Sequence, residues 1–352
     1  MRKRTKFALL RTSILLIFAI LAGRVWYVQV VQGKYYKQQA DTSKIRVIPV
    51  QAPRGIIYDS QGRQLVYNTP SWSVQIVPHG IPYRHASAIY HQLSRLLHGN
   101  PSAKAIASIV RSYSWRPYGP APIKLGISSD TAMIIKQLHY ALPGVQVQPS
   151  SIRQYVQDAQ YSLTHILGYA GDIVPSVLST YEKTYPAMHV DPTDQAGKTG
   201  VELSLDPYLH GINGRQRVEV DAGERPIHVI QPAHTIAGDS VTLTLNWKLQ
   251  QQVSRDLATG LQHLGLQKGV AILENVRNGQ ILSMVSLPSY NNNLFSGRIP
   301  LKTYNALLHA PGLPLNDLAT QGQFPPGSTY KLITATAALQ TGVTNASRTI
   351  DD

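Results

Sequence analysis

The chain has 352 residues and no cysteine, and its 33 Lys and Arg against 19 Asp and Glu leave a formal net charge of +14. At about 100–200 residues per domain this length suggests two or three domains, and 43% hydrophobic with 15% charged residues excludes an intrinsically disordered chain. The lack of Cys excludes disulfides, thiolate nucleophiles, iron–sulfur clusters and Cys-based zinc sites.

Arg2, Lys3, Arg4 and Lys6 precede an apolar run from Phe7 to Val31. As a helix this run reaches about 37 Å, enough to cross a hydrocarbon core of about 30 Å with some tilt. Arg11 and Arg24 sit near its two ends, where long side chains snorkel to headgroups, and Trp26 and Tyr27 suit an interfacial belt. The cationic start predicts a single-pass anchor, with the N-terminus in the cytoplasm and the bulk of the chain outside. A cleaved signal peptide is the competing reading, because Thr12–Gly23 alone has the apolar character of one. No A-x-A site follows, and the run continues through Val28, Val30 and Val31, which favours the uncleaved anchor. Residues 2–24 hold six basic and no acidic residues, so the rest of the chain carries only a mild positive surplus. That surplus suits an anionic wall or membrane surface. With no dense Lys/Arg run interleaved with aromatics, nucleic acid is not an expected partner.

Ile45–Gln51 alternates as a strand, and Asp59-Ser60-Gln61-Gly62 is hairpin turn chemistry, with a further strand at Trp72–Val77. Between Gly80 and Leu142 the period changes, and Ala86–Leu97, Ser102–Tyr113 and Asp130–Leu142 read as amphipathic helices. Val145–Val147 returns to strand, Leu163–Tyr169 and Pro175–Tyr185 read as short helices, and Arg217–Asp221 and Val241–Leu245 as strands. The Pro/Gly-bearing stretch Arg225–Gly238 is the expected domain boundary. Trp247–Leu264 is a predicted helix with Leu249, Val253, Leu257 and Leu261 on one face. Gly269–Glu274 and Gln280–Ser286 are predicted strands joined through Asn278-Gly279, a strong hairpin signal. Pro325-Pro326-Gly327 leads into a predicted helix, Ser328–Thr341, closed by Gly342.

In that last helix Ser328 and Lys331 lie three apart, on one face. A serine hydroxyl is a poor nucleophile until a base takes its proton, and a lysine serves only where burial or another cation lowers its pKa. The helix start adds free N–H groups and positive dipole suited to an oxyanion. A bare S-x-x-K arises by chance about once in a chain this long, so the tetrad alone is weak.

The wider context is specific. Phe324-Pro325-Pro326-Gly327-Ser328-Thr329-Tyr330-Lys331 resembles the active-site serine motif of penicillin-binding proteins, and the 269–291 hairpin resembles the first two strands of their transpeptidase domain. Pro314-Leu315-Asn316 also matches. Arg54-Gly55-Ile56-Ile57-Tyr58-Asp59 with Gly62, Arg153-Gln154-Tyr155, and Gly197-Lys198-Thr199-Gly200-Val201-Glu202 are similar to the three N-terminal motifs of class B, monofunctional members. Two positions depart: Ser60 and Asp317 each stand where the family usually has Arg.

The resemblance implies an α+β chain. It would have a single transmembrane helix, an elongated mixed α/β pedestal, and the start of a serine transpeptidase domain with an antiparallel sheet and helices. The expected divisions are 1–40 for the tail, anchor and juxtamembrane segment, 41–232 for the dimerisation-type pedestal with a helical insertion near 80–143, and 233–352 for an incomplete transpeptidase domain. The resemblance further implies Ser328 as nucleophile, Lys331 as general base, and structural roles for Arg54, Gly55, Asp59, Gly62, Arg153, Gly197, Gly200 and Glu202. The charged members also read physically as fork-shaped structural pairs, with Arg54 or Arg153 expected to pair with Glu202. The triplet Lys198-Thr199-Gly200 precedes the serine and is read as a decoy of the family's catalytic K-T-G. The twelve His are dispersed, so neither a metal nor a cofactor is expected.

The implied activity is peptidoglycan D,D-transpeptidation in the bacterial cytoplasmic membrane. The implied partners are stem peptides, β-lactams, the bilayer, a cell-wall glycosyltransferase and divisome or elongasome proteins. The 21 residues after Lys331 contain neither S-x-N nor K-T-G, so the chain reads as an inactive N-terminal portion of a longer protein. A non-catalytic membrane scaffold is the alternative. A β-lactam-sensing receptor is disfavoured, because pedestal motifs precede the serine.

Overall fold

The computed structural model describes residues 2–37, 44–173, 175–191, 194–220, 226–297 and 299–349. Helix Arg2–Trp26 runs on through a π-helical turn at Tyr27–Val31. Within it Ile14–Val31 has a mean hydropathy of 2.1 and no buried residue, so by length and composition it is a candidate membrane span. The expected junction at residue 40 falls in 38–43, outside the described residues.

Strands β1 (Ile45–Val50), β2 (Ile57–Tyr58), β3 (Gln64–Ile76), β4 (Ala121–Ile127) and β5 (Val145–Tyr155) come first. Next come β6 (Ala170–Asp172), β7 (Gln195–Gly197), β8 (Gly214–Val220), β9 (Pro226–Gln231) and β10 (Val241–Thr242). The last pair is β11 (Gly269–Asn275) with β12 (Gln280–Leu287). The β2–β3 turn forms as its residues dictate. Asp59 Oδ1 accepts from the backbone N–H groups of Gln61 (2.9 Å) and Arg63 (2.8 Å), and Oδ2 accepts from Trp247 N at 3.1 Å. Asp59 therefore ties the hairpin to the start of a helix far along the chain.

β3 is one strand of 13 residues rather than two separate ones, and it passes through Pro70. Its pairing with β5 is continuous from Val66↔Tyr155 to Ile76↔Val145, whereas β4 joins the other flank only from Trp72. The proline sits where that flank has no ladder, which tolerates its missing N–H. Helices Ala86–Leu96, Ala103–Ser112 and Ser129–Gln137 cover this sheet and form a head around Val74, Ile76, Ile89, Leu93, Ile106 and Ile135. Ser102 and Ser128 cap the latter two helices, accepting from Ala105 N (3.3 Å) and Thr131 N (3.2 Å). The insertion expected as purely helical also contains β4. Ala121, Ile123 and Ile127 are buried there, an alternation too short to stand out between helical patterns. The third helix ends at Gln137, five residues early, because turns lead from Leu138 to Gly144.

Below the head, β1, β8 and β9 form an antiparallel sheet (Ile45↔Glu219, Val50↔Gly214, Arg217↔Gln231). β9 lies within the Pro/Gly-bearing stretch and pairs back onto β8. β10 runs parallel to β2 (Val241↔Ile57). A second core joins Ile57, Leu65, Val66, Tyr155, Leu163, Leu167, Leu209, Leu245 and Trp247.

Helix Trp247–His263 packs on the antiparallel β11–β12 hairpin. Its buried positions are Trp247, Gln250 and Ser254, whereas the expected Leu249–Leu261 stripe is only half-buried. Gln250 is buried because its amide is satisfied on both sides. Nε2 donates to Met284 O (2.7 Å) and Ser162 O (3.1 Å), and Oε1 accepts from Ser283 Oγ (2.8 Å) and Met284 N (2.9 Å). The hairpin loop spans four residues, 276–279, with Gly279 at φ 73° and the N–H groups of Asn278 and Gly279 both on Asn275 O. Helix Leu301–Leu308, the short helix Leu318–Gln321, a 3₁₀ turn at Gly327–Tyr330 and helix Lys331–Gln340 complete the described fold.

Candidate active site and buried ionic hub

Ser328 lies in the 3₁₀ turn and Lys331 opens the following helix. A 3₁₀ turn has three residues per turn, so positions i and i+3 eclipse and both side chains share one side. Both residues are exposed, and neither the Ser328 hydroxyl nor the Lys331 ammonium has a hydrogen-bond partner among the described residues. The turn is thus formed, but no hydrogen bond joins Ser328 to Lys331 among the described residues.

Asp317, at a position where the family usually has Arg, instead caps helix Leu318–Gln321 by accepting from Ala319 N at 3.0 Å, and Leu318 N donates to Ser286 Oγ at 2.9 Å. That carboxylate also faces His165. Burial lowers the His165 pKa, while Asp317 and a hydrogen bond with the Pro288 backbone pull it back up.

The pedestal motifs converge elsewhere. Glu202, wholly buried, accepts from Arg54 Nε at Oε2 and from Arg153 Nε at Oε1, each at 2.7 Å. Both arginines therefore pair with it, where one was expected. Arg54 also donates to Asp206 Oδ1 at 2.6 Å and to Glu202 O at 3.1 Å, and Arg153 donates to Asn68 Oδ1 at 3.0 Å. Burial alone would raise the Glu202 pKa, but the two guanidiniums outweigh it and hold the carboxyl below its usual range. Five residues, Arg54, Asn68, Arg153, Glu202 and Asp206, are joined here by hydrogen bonds between side chains across separations of 49 to 152 positions.

The motif glycines make the convergence possible. Gly62 and Gly200 adopt positive φ (77° and 58°), whereas a Cβ on Gly55 or Gly197 would lie 1.9 Å from the backbone oxygens of Asp239 or Glu202. The Lys198-Thr199-Gly200 triplet enters helix Gly200–Ser204 in this pedestal, and burial lowers the Lys198 pKa against the pull of Asp172 and Asp206.

Sequence reasoning named Tyr155 only as part of the Arg153-Gln154-Tyr155 motif, and it missed Asn68, Asp206 and an asparagine clasp. The i, i+4 spacing of Glu202 and Asp206 was the available signal for the second carboxylate. Tyr155 donates its hydroxyl to Glu202 Oε1 (3.4 Å) and accepts from Ala170 N (2.8 Å). Asn293 grips the Tyr155 backbone from both sides, accepting from its N–H (2.8 Å) and donating to its carbonyl (2.9 Å). Asn292 donates to Gly168 O (2.9 Å) and accepts from Gln157 Nε2 (2.7 Å). The hub thus connects through one tyrosine to the segment that follows β12.

Residues 49–243 match the penicillin-binding protein dimerisation domain, and residues 269–352 match the penicillin binding protein transpeptidase domain. The chain is 31% identical over 337 residues to the peptidoglycan D,D-transpeptidase MrdA of Salmonella typhimurium, covering 94% of this chain and 51% of that protein. It is 28% identical over 352 residues to the peptidoglycan D,D-transpeptidase FtsI of Escherichia coli, covering 96% of this chain and 51% of that protein. Among solved structures, the complex between a penicillin-binding protein (PBP2) and MreC from Helicobacter pylori shares the fold. Its TM-score is 0.66 at 20% identity, over 84% of this chain and 53% of that one. The chain spans about half the length of the curated relatives it matches. Because the dimerisation-domain match alone takes in more than half of the residues, and the serine motif follows it in order, the chain belongs to the class B penicillin-binding proteins.

Proposed function

We propose that the chain serves peptidoglycan D,D-transpeptidation through a serine acyl-enzyme. Ser328 Oγ attacks the carbonyl of a D-Ala–D-Ala bond while Lys331 takes the hydroxyl proton and delivers it to the departing amine of the terminal D-Ala. The acyl group, now an ester on Ser328, is attacked by an amine of a second stem peptide. That amine gives up a proton and the serine is regenerated. β-Lactams acylate the same hydroxyl. The observation that carries this reading is the Ser328–Lys331 turn at the entrance of a helix that follows the β11–β12 hairpin, inside the transpeptidase match.

A second reading, in which the chain acts as a non-catalytic membrane scaffold, rests on the exposure of both residues and the lack of a hydrogen bond between them among the described residues. Acylation then requires the S-x-N and K-T-G segments that residues 332–352 do not contain. Labelled penicillin separates the two. The 352-residue chain should take no stable label, and a chain extended through those motifs should label and lose the label in Ser328→Ala. Stoichiometric labelling of the short chain refutes the second reading, and labelling that survives Ser328→Ala refutes the nucleophile.

The division at residue 232 between pedestal and transpeptidase parts belongs to the same proposal, as do the structural roles of the motif residues. So do a cytoplasmic N-terminus with an extracytoplasmic pedestal, a glycosyltransferase partner, and an MreC-type partner like that of the Helicobacter pylori protein. A reporter fused after residue 40 should be active only outside the cytoplasm. A soluble product beginning near Arg24 would replace the anchor with a cleaved signal.

A further inference from the structure

A pocket of about 290 Å³, whose lining shares no residue with the hub or the serine turn, opens on the pedestal between β1, the start of β8, helix Pro175–Thr184 and the 113–120 loop. That volume lies at the lower limit of the range of about 300–1,000 Å³ that holds small ligands, room for one short segment rather than a long chain. Its floor is buried (Leu178, Val190 and Asp191), and its rim is exposed (Trp115, Glu182, His189 and Arg215).

The rim is built rather than loose. Tyr113 is buried at 3% exposure, two residues later Trp115 is 56% exposed, and Arg116 donates to Asp191 Oδ2 at 2.9 Å across the pocket. Turn hydrogen bonds Arg116 N→Tyr113 O and Gly119 N→Arg116 O, both 3.0 Å, fix the loop between those two anchors. The indole is thereby held on the pocket edge, although the neighbouring tyrosine shows that the core accepts an aromatic side chain here. On the opposite rim the Glu182 carboxylate and Arg215 guanidinium have no partner among the described residues.

An exposed indole face offers apolar area for the C–H face of a ring. Carboxylate and guanidinium forks are matched to hydroxyls and amides. The four ionic side chains, Arg116, Arg215, Glu182 and Asp191, balance, so the pocket has no bias toward a highly charged ligand. We propose that this pocket binds a neutral, N-acetylated amino-sugar segment, and so holds the glycan strand whose peptides are cross-linked. The choice of an amino sugar rests on the transpeptidase reading; the aromatic and forked rim calls for a saccharide independently of it.

The test uses the full chain, labelled with 5-fluorotryptophan, in a detergent without a sugar headgroup. It is titrated with the uncharged tetramer of β-1,4-linked N-acetylglucosamine and followed by fluorine NMR, with Trp115→Phe assigning the Trp115 signal. A saturable shift of that signal is expected, with Trp72 and Trp247 unmoved. Glu182→Gln and Arg215→Gln should each weaken binding by about tenfold, the loss of a charge-assisted hydrogen bond. No shift at Trp115, a shift undiminished in both variants, or a shift given only by a sugar-free stem peptide overturns the proposal. The readout does not involve Ser328, so a failure of penicillin labelling and a failure here are told apart.

Discussion

Replacing Glu202 by Gln keeps the side chain's volume and removes the one carboxylate that two buried guanidiniums share. The cost follows from what each arginine retains. Arg54 keeps Asp206 at 2.6 Å, whereas Arg153, 1% exposed at its side chain, keeps only the neutral amide oxygen of Asn68. One charge rather than two is therefore stranded, and breaking a buried pair from one side costs about 3–5 kcal/mol. Adding Arg153→Met to Glu202→Gln removes the stranded charge and should recover most of that loss. Urea unfolding of the chain in micelles, read by Trp247 fluorescence, measures both variants. A loss below about 1 kcal/mol, the level of a surface pair, or no recovery in the double variant, refutes the reasoning. The pH dependence has a definite sign. The folded pKa of Glu202 is depressed, so its stabilisation is present above the unfolded value of about 4.3 and is lost as pH falls through the lower folded value.

Three other perturbations separate local causes. Gly197→Ala forces a Cβ against the backbone oxygen of Glu202 and should cost about 1–3 kcal/mol, whereas Gly260→Ala, in a helix interior with nothing within 4 Å, should gain about 0.4–1 kcal/mol; urea midpoints check both. Burial, aided by neighbouring Asp191, pushes the Asp194 carboxyl up to about 7 against hydrogen bonds from the Asp191 N–H, Asn213 and Gln51. The native state therefore holds this proton more tightly than the unfolded chain, and stability should fall as pH rises from about 4 to about 7. Asp194→Asn should flatten that slope in thermal unfolding at pH 5 and pH 8, with its gain at pH 8. Asn293→Ala leaves the backbone N–H and carbonyl of Tyr155 without the clasp and should cost about 1–3 kcal/mol, read as earlier protease cleavage near residue 155.

Local chemistry was legible where a residue acts on its own neighbours. Asp59 and Gly62 announce their turn, Ser102 and Ser128 their caps, and a run such as Ile14–Val31 announces itself by length. Arg54, Arg153 and Glu202 were legible as ion-pair formers, because a buried guanidinium needs a carboxylate. Which atoms meet was not legible, because the partners lie 49 to 152 positions apart and are joined only by the fold. Asn68 and Asn293 carry no signal, since an asparagine in a turn-rich sequence reads as a turn residue before it reads as a backbone clasp. The leucine stripe of helix Trp247–His263 shows another limit. Its period fixes a face, but burial goes to the face whose polar groups, those of Gln250, find partners on β12. The S-x-x-K spacing likewise fixed a shared side for Ser328 and Lys331 and said nothing of their exposure.

The strand order has a consequence in time. β1 closes on β8 (Ile45↔Glu219) and β2 on β10 (Ile57↔Val241), so the two strands nearest the apolar helix wait for most of the pedestal to be synthesised. At about 5–20 residues per second the delay between Ile57 and Val241 is on the order of ten to forty seconds. The head faces no such wait, because Val74, Ile89, Ile106 and Ile135 meet within one stretch of chain. During translation the head can therefore be compact while the strands nearest the apolar helix still present bare edges. Those edges are open to pairing with another nascent chain. Stalling or release before residue 241 should accordingly yield a folded head on an unclosed base, and aggregation that begins beside the apolar helix.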